Sequence, residues 1–352
     1  MSITRFMHIS DLHIAEKSNK YGLNDILKIF TKSTKEDKLG LYTSHDILKL
    51  ESLVDILTKD TNYIDFIIIT GDIATSASSK DLIFSSKLIS NDVKLNPYED
   101  IDYDIDFDVD ISKITREEDL NLLKKVKVSL KKSIILSHSN IILLPGNHDR
   151  NYADESTLFT SFFYTNDDFS IHFNKYWNPK IKITNRIHTQ LININNSEKK
   201  LIFIKIDCSL DKSIMPFTEV GTGEFSHEIQ SDLENVLLNI SNNENFENFI
   251  PIILIHYLPI ESVNWSLALS RWDKLISLLH TYNIKHLFCG HTHFDKNYKV
   301  KGINLYCSSS TLSTKDNKSR VNIFQYDSLN DEIKIDKHYY WEKKFNKFEL
   351  SI

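Results

Sequence analysis

The side chains of this sequence that can do chemistry stand where apolar runs stop. The run at 6–10 leads into Asp11, Leu12 and His13, and the run at 67–69 leads through Thr70 and Gly71 to Asp72. The run at 141–144 leads through Pro145 and Gly146 to Asn147, His148 and Asp149. The run at 252–255 ends at His256, and that at 284–289 leads through Gly290 to His291, Thr292 and His293. Imidazoles, carboxylates and a carboxamide without thiolate form a mixed nitrogen and oxygen donor set, which suits Mn, Fe or Zn better than the all-oxygen sites of Mg or Ca. Asp11, His13, Asp72 and His293 suffice for one divalent ion, and Asp72, Asn147, His256 and His291 for a second, with Asp72 bridging. Between two ions about 3.5 to 4 Å apart, a water loses its proton near neutral pH and can attack phosphorus in line. His148 stays outside the ligand set. Beside Asn147 it can serve as general acid toward the leaving oxygen, or as a cation stabilising the transition state, with Asp149 orienting its ring.

Each signal is weak singly. A lone Asp-x-His is more often surface chain, and His256 alone would be a core histidine by default; the joint occurrence carries the reading. His8, inside the first apolar run, reads as a packed or hydrogen-bonded core histidine, because Asp11 and His13 already supply the loop chelate.

These residues need a sheet behind them. The run at 67–69 is apolar on both sides, as in a buried central strand. Ser44 caps an apolar helical stripe running to about 58, which returns the chain to a strand at 64–70 and completes a strand, helix, strand unit. Further helices are expected at 80–90, at 115–132 behind the capping box of Thr115 and Glu118, at 228–240 and at 266–279. Further strands are expected at 201–207, 251–255, 284–290, 300–306, 321–326 and 332–339. Residues 15–42 read as a surface insertion with a short helix at 23–30. From Asp100 to Asp110 aspartates alternate with apolar residues, which places all carboxylates on one face of an extended segment. That face reads as a solvated one that discourages edge pairing, with cation binding as the alternative. Residues 150–200, rich in aromatics and Asn, read as a cap-like elaboration over the site. With no internal repeat and no clear linker, one domain over 1–352 is expected, with an insertion at about 90–133.

The totals set bounds on function. A chain of 352 residues that is 41% hydrophobic can bury a sizeable core. Its net charge of −6 gives no overall basic field, so nucleic acid is the less favoured partner and a small phosphoester or nucleotide the favoured one. Cys208, Cys289 and Cys307 form no CxxC pair, which argues against a thiolate zinc site and a disulfide framework. No apolar run approaches the ~20 residues that span a bilayer, and the N-terminus leads straight into a strand, so a cytoplasmic protein without a membrane partner is expected.

The motif set resembles the calcineurin-like metallophosphoesterase family. Its pattern DxH, GD, GNH(D/E), H, GHxH is matched by Asp11 and His13, by Gly71 and Asp72, by Gly146 to Asp149, by His256, and by Gly290 to His293, in the family's order. The resemblance implies an α/β fold, a four-layer αββα sandwich of two mixed β-sheets flanked by helices. It also implies two divalent metals and hydrolysis of phosphoric esters, phosphodiesters before monoesters. The wording SDLH, TGDIA and GNHD is similar to the cyclic-nucleotide phosphodiesterase branch. That branch often carries a second histidine after the one matched by His256, where this chain has Tyr257. The break-repair DNA nucleases resemble the same set and would call for a basic groove, to which Lys124, Lys125, Lys127, Lys131 and Lys132 could contribute. A non-catalytic interaction module on the same fold is the third alternative, against which the intact ligands and His148 argue.

Overall fold

Apolar runs with no polar face become strands covered on both sides. The computed structural model describes residues 3–14, 47–60, 63–75, 77, 79–89, 140–152, 162–165, 168–173, 186–194, 197–209, 215–216, 221–242, 248–261, 269–313 and 319–351. In chain order the main elements are β1 (Ile3–Ile9), α1 (Ile47–Lys59), β2 (Phe66–Thr70), α2 (Ser79–Ile89), β3 (Ile141–Leu144), β4 (Ile187–Asn193) and β5 (Lys200–Ile206). They continue with α3 (His227–Ser241), β6 (Phe249–Ile255), α4 (Trp272–Thr281), β7 (His286–Cys289), β8 (Lys296–Val300) and β9 (Ile303–Cys307). The chain closes with β10 (Arg320–Asp327), β11 (Glu332–Glu342) and β12 (Lys347–Leu350).

Two six-stranded sheets result, in the orders β12-β11-β10-β1-β2-β3 and β8-β9-β7-β6-β5-β4. In the first, β1, β2 and β3 run parallel, and β10, β11 and β12 extend the sheet antiparallel. In the second, β5, β6, β7 and β9 run parallel between antiparallel edges β4 and β8. Both sheets are therefore mixed, and in each the parallel strands bring their C-terminal ends to one edge, where open α/β sheets place their sites.

The period of two along β5 shows how the layers stack. Leu201 and Phe203 join the core between the sheets, whereas Ile202, Ile204 and Ile206 join the core beneath α3 and α4. Between the sheets Phe6 stacks on Phe66 at 4.9 Å, and Phe66 meets Phe203 of the opposite sheet edge-on at 5.4 Å. These offset and edge contacts are the ones aromatic quadrupoles favour. On the outer face of the first sheet α1 lies against β12, where Ser52 Oγ accepts from Phe348 N at 2.8 Å. Helix, sheet, sheet, helix is the expected layering.

Several local expectations are corrected. The helix expected at 266–279 starts at Trp272, because Leu269–Ser270 pairs with Gly223–Glu224 and Arg271 takes a left-handed φ of 59° before the helix begins. The single strand expected at 300–306 is the turn and second arm of a hairpin, in which Lys301 (φ 47°) and Gly302 (φ 85°) join paired Val300 and Ile303. Two positive φ angles in a two-residue turn match the right-handed twist of the strands. Within 150–200, residues 187–193 are β4, the edge of the second sheet rather than a cap; its polar His188 and Thr189 are buried and masked the strand signal. The β12 strand was not anticipated. The helices expected at 23–30 and 115–132, the acidic segment 100–110 and the lysines from 124 to 132 lie outside the described residues.

Candidate metal centre

The loops that follow the parallel strands hold one another. Asp11 N donates to Gly71 O at 3.0 Å and His13 N to Asp72 O at 2.9 Å, which ties the loop after β1 to the loop after β2. Asp11, His13, Asp72, His291 and His293 all adopt left-handed backbone, with φ between 50° and 67°. Each such non-glycine residue costs roughly 1 to 2 kcal/mol, and strain of this kind persists where surrounding contacts over-determine it, as at functional sites. Gly71, at φ 93°, has no alternative residue: a Cβ there would lie 2.6 Å from His256 Nδ1 and 2.8 Å from Gly146 N.

The proposed ligands meet in two adjoining groups. Asp11, His13 and His293 bring ligand atoms together on one side, and Asp72, His256 and His291 on the other, with all such atoms of a group within 4.8 Å of one another. In the first, His293 Nε2 lies 3.2 Å from Asp11 Oδ1 and 3.5 Å from His13 Nε2. In the second, His256 Nε2 lies 3.1 Å from His291 Nδ1, 3.1 Å from Asn147 Oδ1 and 3.3 Å from Asp72 Oδ2. Two donors bonded to one ion at about 2.1 Å stand roughly 3.0 Å apart at a right angle and roughly 3.4 Å apart at the tetrahedral angle. The donor spacings of both groups thus fit shared ions. Asp11 Oδ1 is buried and makes no well-aligned hydrogen bond; the group that answers it is the His293 imidazole at 3.2 Å, on the side where a cation would sit. All these ligands are buried except His293, whose side chain is 31% exposed and marks the solvent side.

A second layer of hydrogen bonds aims the rings. His256 Nδ1 donates to Thr70 O at 2.7 Å, which leaves Nε2 facing the other donors. Asp11 Oδ2 accepts His291 N at 3.0 Å, joining the two sheets. His148 Nδ1 donates to Thr75 O at 2.7 Å, while its backbone N donates to Asp72 Oδ1 at 2.9 Å. The expectation that Asp149 orients the His148 ring is therefore corrected. Asp149 is the third residue of the one-turn helix Asn147–Arg150, so its carboxylate reaches back to Gly146 N at 2.9 Å and also accepts Ile73 N and Ala74 N at 3.1 and 2.8 Å. It fastens the loop carrying Asn147 and His148 to the loop carrying Asp72.

Electrostatics separate the imidazoles. Burial, then the neighbouring His148, lowers His13 to about 3, and burial, then His256, lowers His291 to about 3; both rings are bare bases at neutral pH. For His256 burial opposes the charge, but the Asp72 carboxylate beside it prevails and raises it to about 10. His293 is raised likewise against burial by Asp11. The Asp72 and Asp11 carboxylates thus favour a positive charge at the places where cations would pair with them, and cation binding would compete with protons there. Burial, then the Asp72 charge, pushes Asp149 up to about 7 against its three amide donors.

His8 is a core histidine. Its Nε2 lies 2.9 Å from Thr70 Oγ1, its ring stands edge-on to Phe288, and burial lowers it to about 3. Two residues absent from the sequence reading belong near the site. Asp207, at the end of β5, takes Arg150 in a buried ion pair, with Nε at 2.9 Å and Nη2 at 2.7 Å from one carboxylate oxygen. The signal for Asp207 was in the sequence, since it too is a carboxylate at the end of an apolar run.

Two mixed sheets that present adjoining Asp and His clusters on the ends of their parallel strands define a metallophosphoesterase. The family profile described as calcineurin-like phosphoesterase matches residues 4–295, and the chain belongs to that family. By sequence, no curated protein matches. Among solved structures, the chain is similar to a dimetal phosphatase from Danio rerio, at 11% identity and a TM-score of 0.47, covering 96% of this chain and 95% of that one. It is similar to a purple acid phosphatase from yellow lupin at 11% identity and a TM-score of 0.45, covering 95% of this chain and 53% of that one. GAP50, the anchor in the inner membrane complex of Plasmodium, is similar at 12% identity and a TM-score of 0.47, covering 100% and 90%. Among the described residues no helix is long and apolar enough to cross a membrane.

Proposed function

We propose that this chain is a dinuclear-metal-dependent phosphodiesterase acting on a small phosphoester or nucleotide, with cyclic nucleotides as the first substrates to test. The observation that carries the reading is the Asp72 carboxylate. One oxygen faces His256 Nε2 at 3.3 Å, and the side chain also groups with His13 of the other set and with His148, which supports reading it as the shared ligand. Asp11, His13, Asp72 and His293 would hold one divalent ion, and Asp72, Asn147, His256 and His291 the other. When bound, Mn, Fe or Zn ions would supply a water of lowered pKa and polarise phosphoryl oxygens. The remaining work falls to the chain itself. Because Nδ1 of His148 is committed to Thr75 O, the opposite ring nitrogen is the one left to pass a proton to the leaving oxygen. His13, 4.8 Å away between ring centroids, supports the same side of the site. Asp149 keeps Asn147 and His148 in place through its three amide bonds.

The test is a substrate panel on the purified chain with Mn, Zn and Fe, beside Asp72→Asn. It would contain bis-p-nitrophenyl phosphate, cyclic mononucleotides, nucleotide monoesters, and single-stranded and duplex DNA. Metal-dependent diester hydrolysis that Asp72→Asn abolishes is expected. Faster cleavage of monoesters would make the chain a monoesterase, preferred cleavage of DNA a nuclease, and metal binding without turnover a non-catalytic relative.

A further inference from the structure

We propose that residues 307–311 form a brace that fixes the separation of Asp11 on one sheet from the His291 and His293 loop on the other, and that Ser310 is a positioning residue for the ion held by Asp11, His13 and His293. The proposal rests on the two-ion reading above and adds an asymmetry to it: the Ser310 hydroxyl bears directly on Asp11, a ligand of one ion, and on the other ion only through the loop that carries His291.

The run Cys307, Ser308, Ser309, Ser310, Thr311 is rich in hydroxyls, yet all five residues are at most 2% exposed. Five buried polar or weakly polar side chains in a row need partners, and the partners lie on both sheets. On the second sheet Cys307 is in register with Cys289, Ser308 N donates to Cys289 O at 2.9 Å, and Cys307 Sγ donates to Gly290 O at 3.4 Å. The Thr292 hydroxyl lies 3.2 Å from the same sulfur. These contacts hold the Gly290 to His293 loop from beneath.

Past Ser309 the chain crosses to the first sheet. Ser310 forms a parallel bridge with Ser10, Thr311 N donates to Ser10 O at 3.1 Å, and Ser10 N donates back to Thr311 Oγ1 at 3.3 Å. The Ser310 hydroxyl donates to Asp11 O at 2.9 Å. Asp11 has a left-handed backbone, φ 52°, and needs such contacts to stay there. With its N–H given to Gly71 O and its carbonyl taken by Ser310, the side chain has one placement. Oδ2 accepts His291 N at 3.0 Å across the sheets, and Oδ1 is left facing His293 Nε2 at 3.2 Å. Among the described residues no hydrogen bond runs from 307–311 directly to Asp72, Asn147 or His256, which rest on Thr70 O, His148 N and the Asp149 loop; the brace reaches the second set only indirectly, through Gly290 and through the Asp11 bond to His291 N.

The experiment is titration of the metal-free full chain with Mn(II) by calorimetry, with the parent, Ser310→Ala and Thr311→Val compared after circular dichroism and melting show each to be folded. The parent is expected to bind two equivalents. Ser310→Ala is expected to bind one equivalent roughly 10- to 100-fold more weakly, the usual effect of losing a hydrogen bond that orients a ligand, and to weaken the other distinctly less. Thr311→Val, which keeps the volume and removes only the acceptor for Ser10 N, shifts the same equivalent in the same direction and keeps the test alive should Ser310→Ala not fold. Two equivalents at parent affinity in a folded variant, or equal weakening of both, would overturn the brace. If the parent itself binds no Mn(II), the two-ion reading fails instead, and the two failures are distinct.

Discussion

His256 Nε2 lies 3.3 Å from Asp72 Oδ2, although the two residues end strands of different sheets. The pair closes the gap between the sheets at the edge where the loops meet, and its carboxylate also groups with His13 of the other cluster and with His148. Asp72→Asn removes the negative charge proposed to be shared by both ions while preserving shape. The expected outcome is loss of at least one Mn(II) equivalent by equilibrium dialysis, and a fall in kcat on bis-p-nitrophenyl phosphate of at least roughly 100-fold.

His148→Ala separates proton transfer from ion binding. The ring groups with His13 and Asp72 but is assigned to neither ion in the proposed set, and its Nδ1 is spent on Thr75 O. General acid catalysis contributes about 10² to 10⁴ in rate, so kcat should drop within that range while Mn(II) stoichiometry stays at the parent value. A drop in stoichiometry of the same size would reassign His148 as a ligand.

Gly146→Ala tests how closely the loops pack. The backbone of Gly146 is extended, with φ −104°, so the substitution adds no backbone strain, but the new Cβ would overlap Asp72 Oδ1 and come within 2.9 Å of Asp72 Cγ. Overpacking of this kind costs about 1 to 3 kcal/mol. A lower melting temperature together with weaker Mn(II) binding is expected, since both the Asp72 carboxylate and the Asp72 backbone N, 2.5 Å from the new Cβ, would have to move.

The Arg150 and Asp207 pair gives a pH signature. Burial favours the neutral acid, but Arg150 and then Arg186 overcome it and hold the Asp207 carboxyl below its ordinary value of 3.8. A carboxylate depressed on folding adds stability that is present in full above its unfolded pKa and is lost as pH falls through the folded one. Breaking such a buried pair costs about 3 to 5 kcal/mol. Urea unfolding of Asp207→Asn should therefore show a deficit against the parent that is constant above about pH 5 and shrinks below 3.8. A deficit that does not change on acidification would show that the pair adds nothing electrostatic.

How much of this was legible in the sequence follows from range. The apolar runs and the residues that end them are local, and they announced β1, β2, β3, β6 and β7 together with the candidate Asp and His residues that the fold groups at one edge. The left-handed backbone of Asp11, His13, Asp72, His291 and His293 is imposed by contacts from distant strands, and no local pattern encodes it. The bonds of Asp149 to Ile73 and Ala74 span more than seventy residues, so a sequence reading gave that carboxylate its nearest neighbour, His148, as partner. Polar residues buried for pairing rather than chemistry, His188 and Thr189 in β4, defeated the apolar and polar alternation on which strand reading depends.

The central claim, a carboxylate-bridged pair of ions on Asp72, is tested most directly by low-temperature electron paramagnetic resonance of the chain loaded with two equivalents of Mn(II). Ions about 3.5 to 4 Å apart couple their spins, so the account predicts the multiline spectrum of an exchange-coupled pair that disappears in Asp72→Asn. The six-line spectrum of isolated Mn(II) at full loading, unchanged by that substitution, would contradict it.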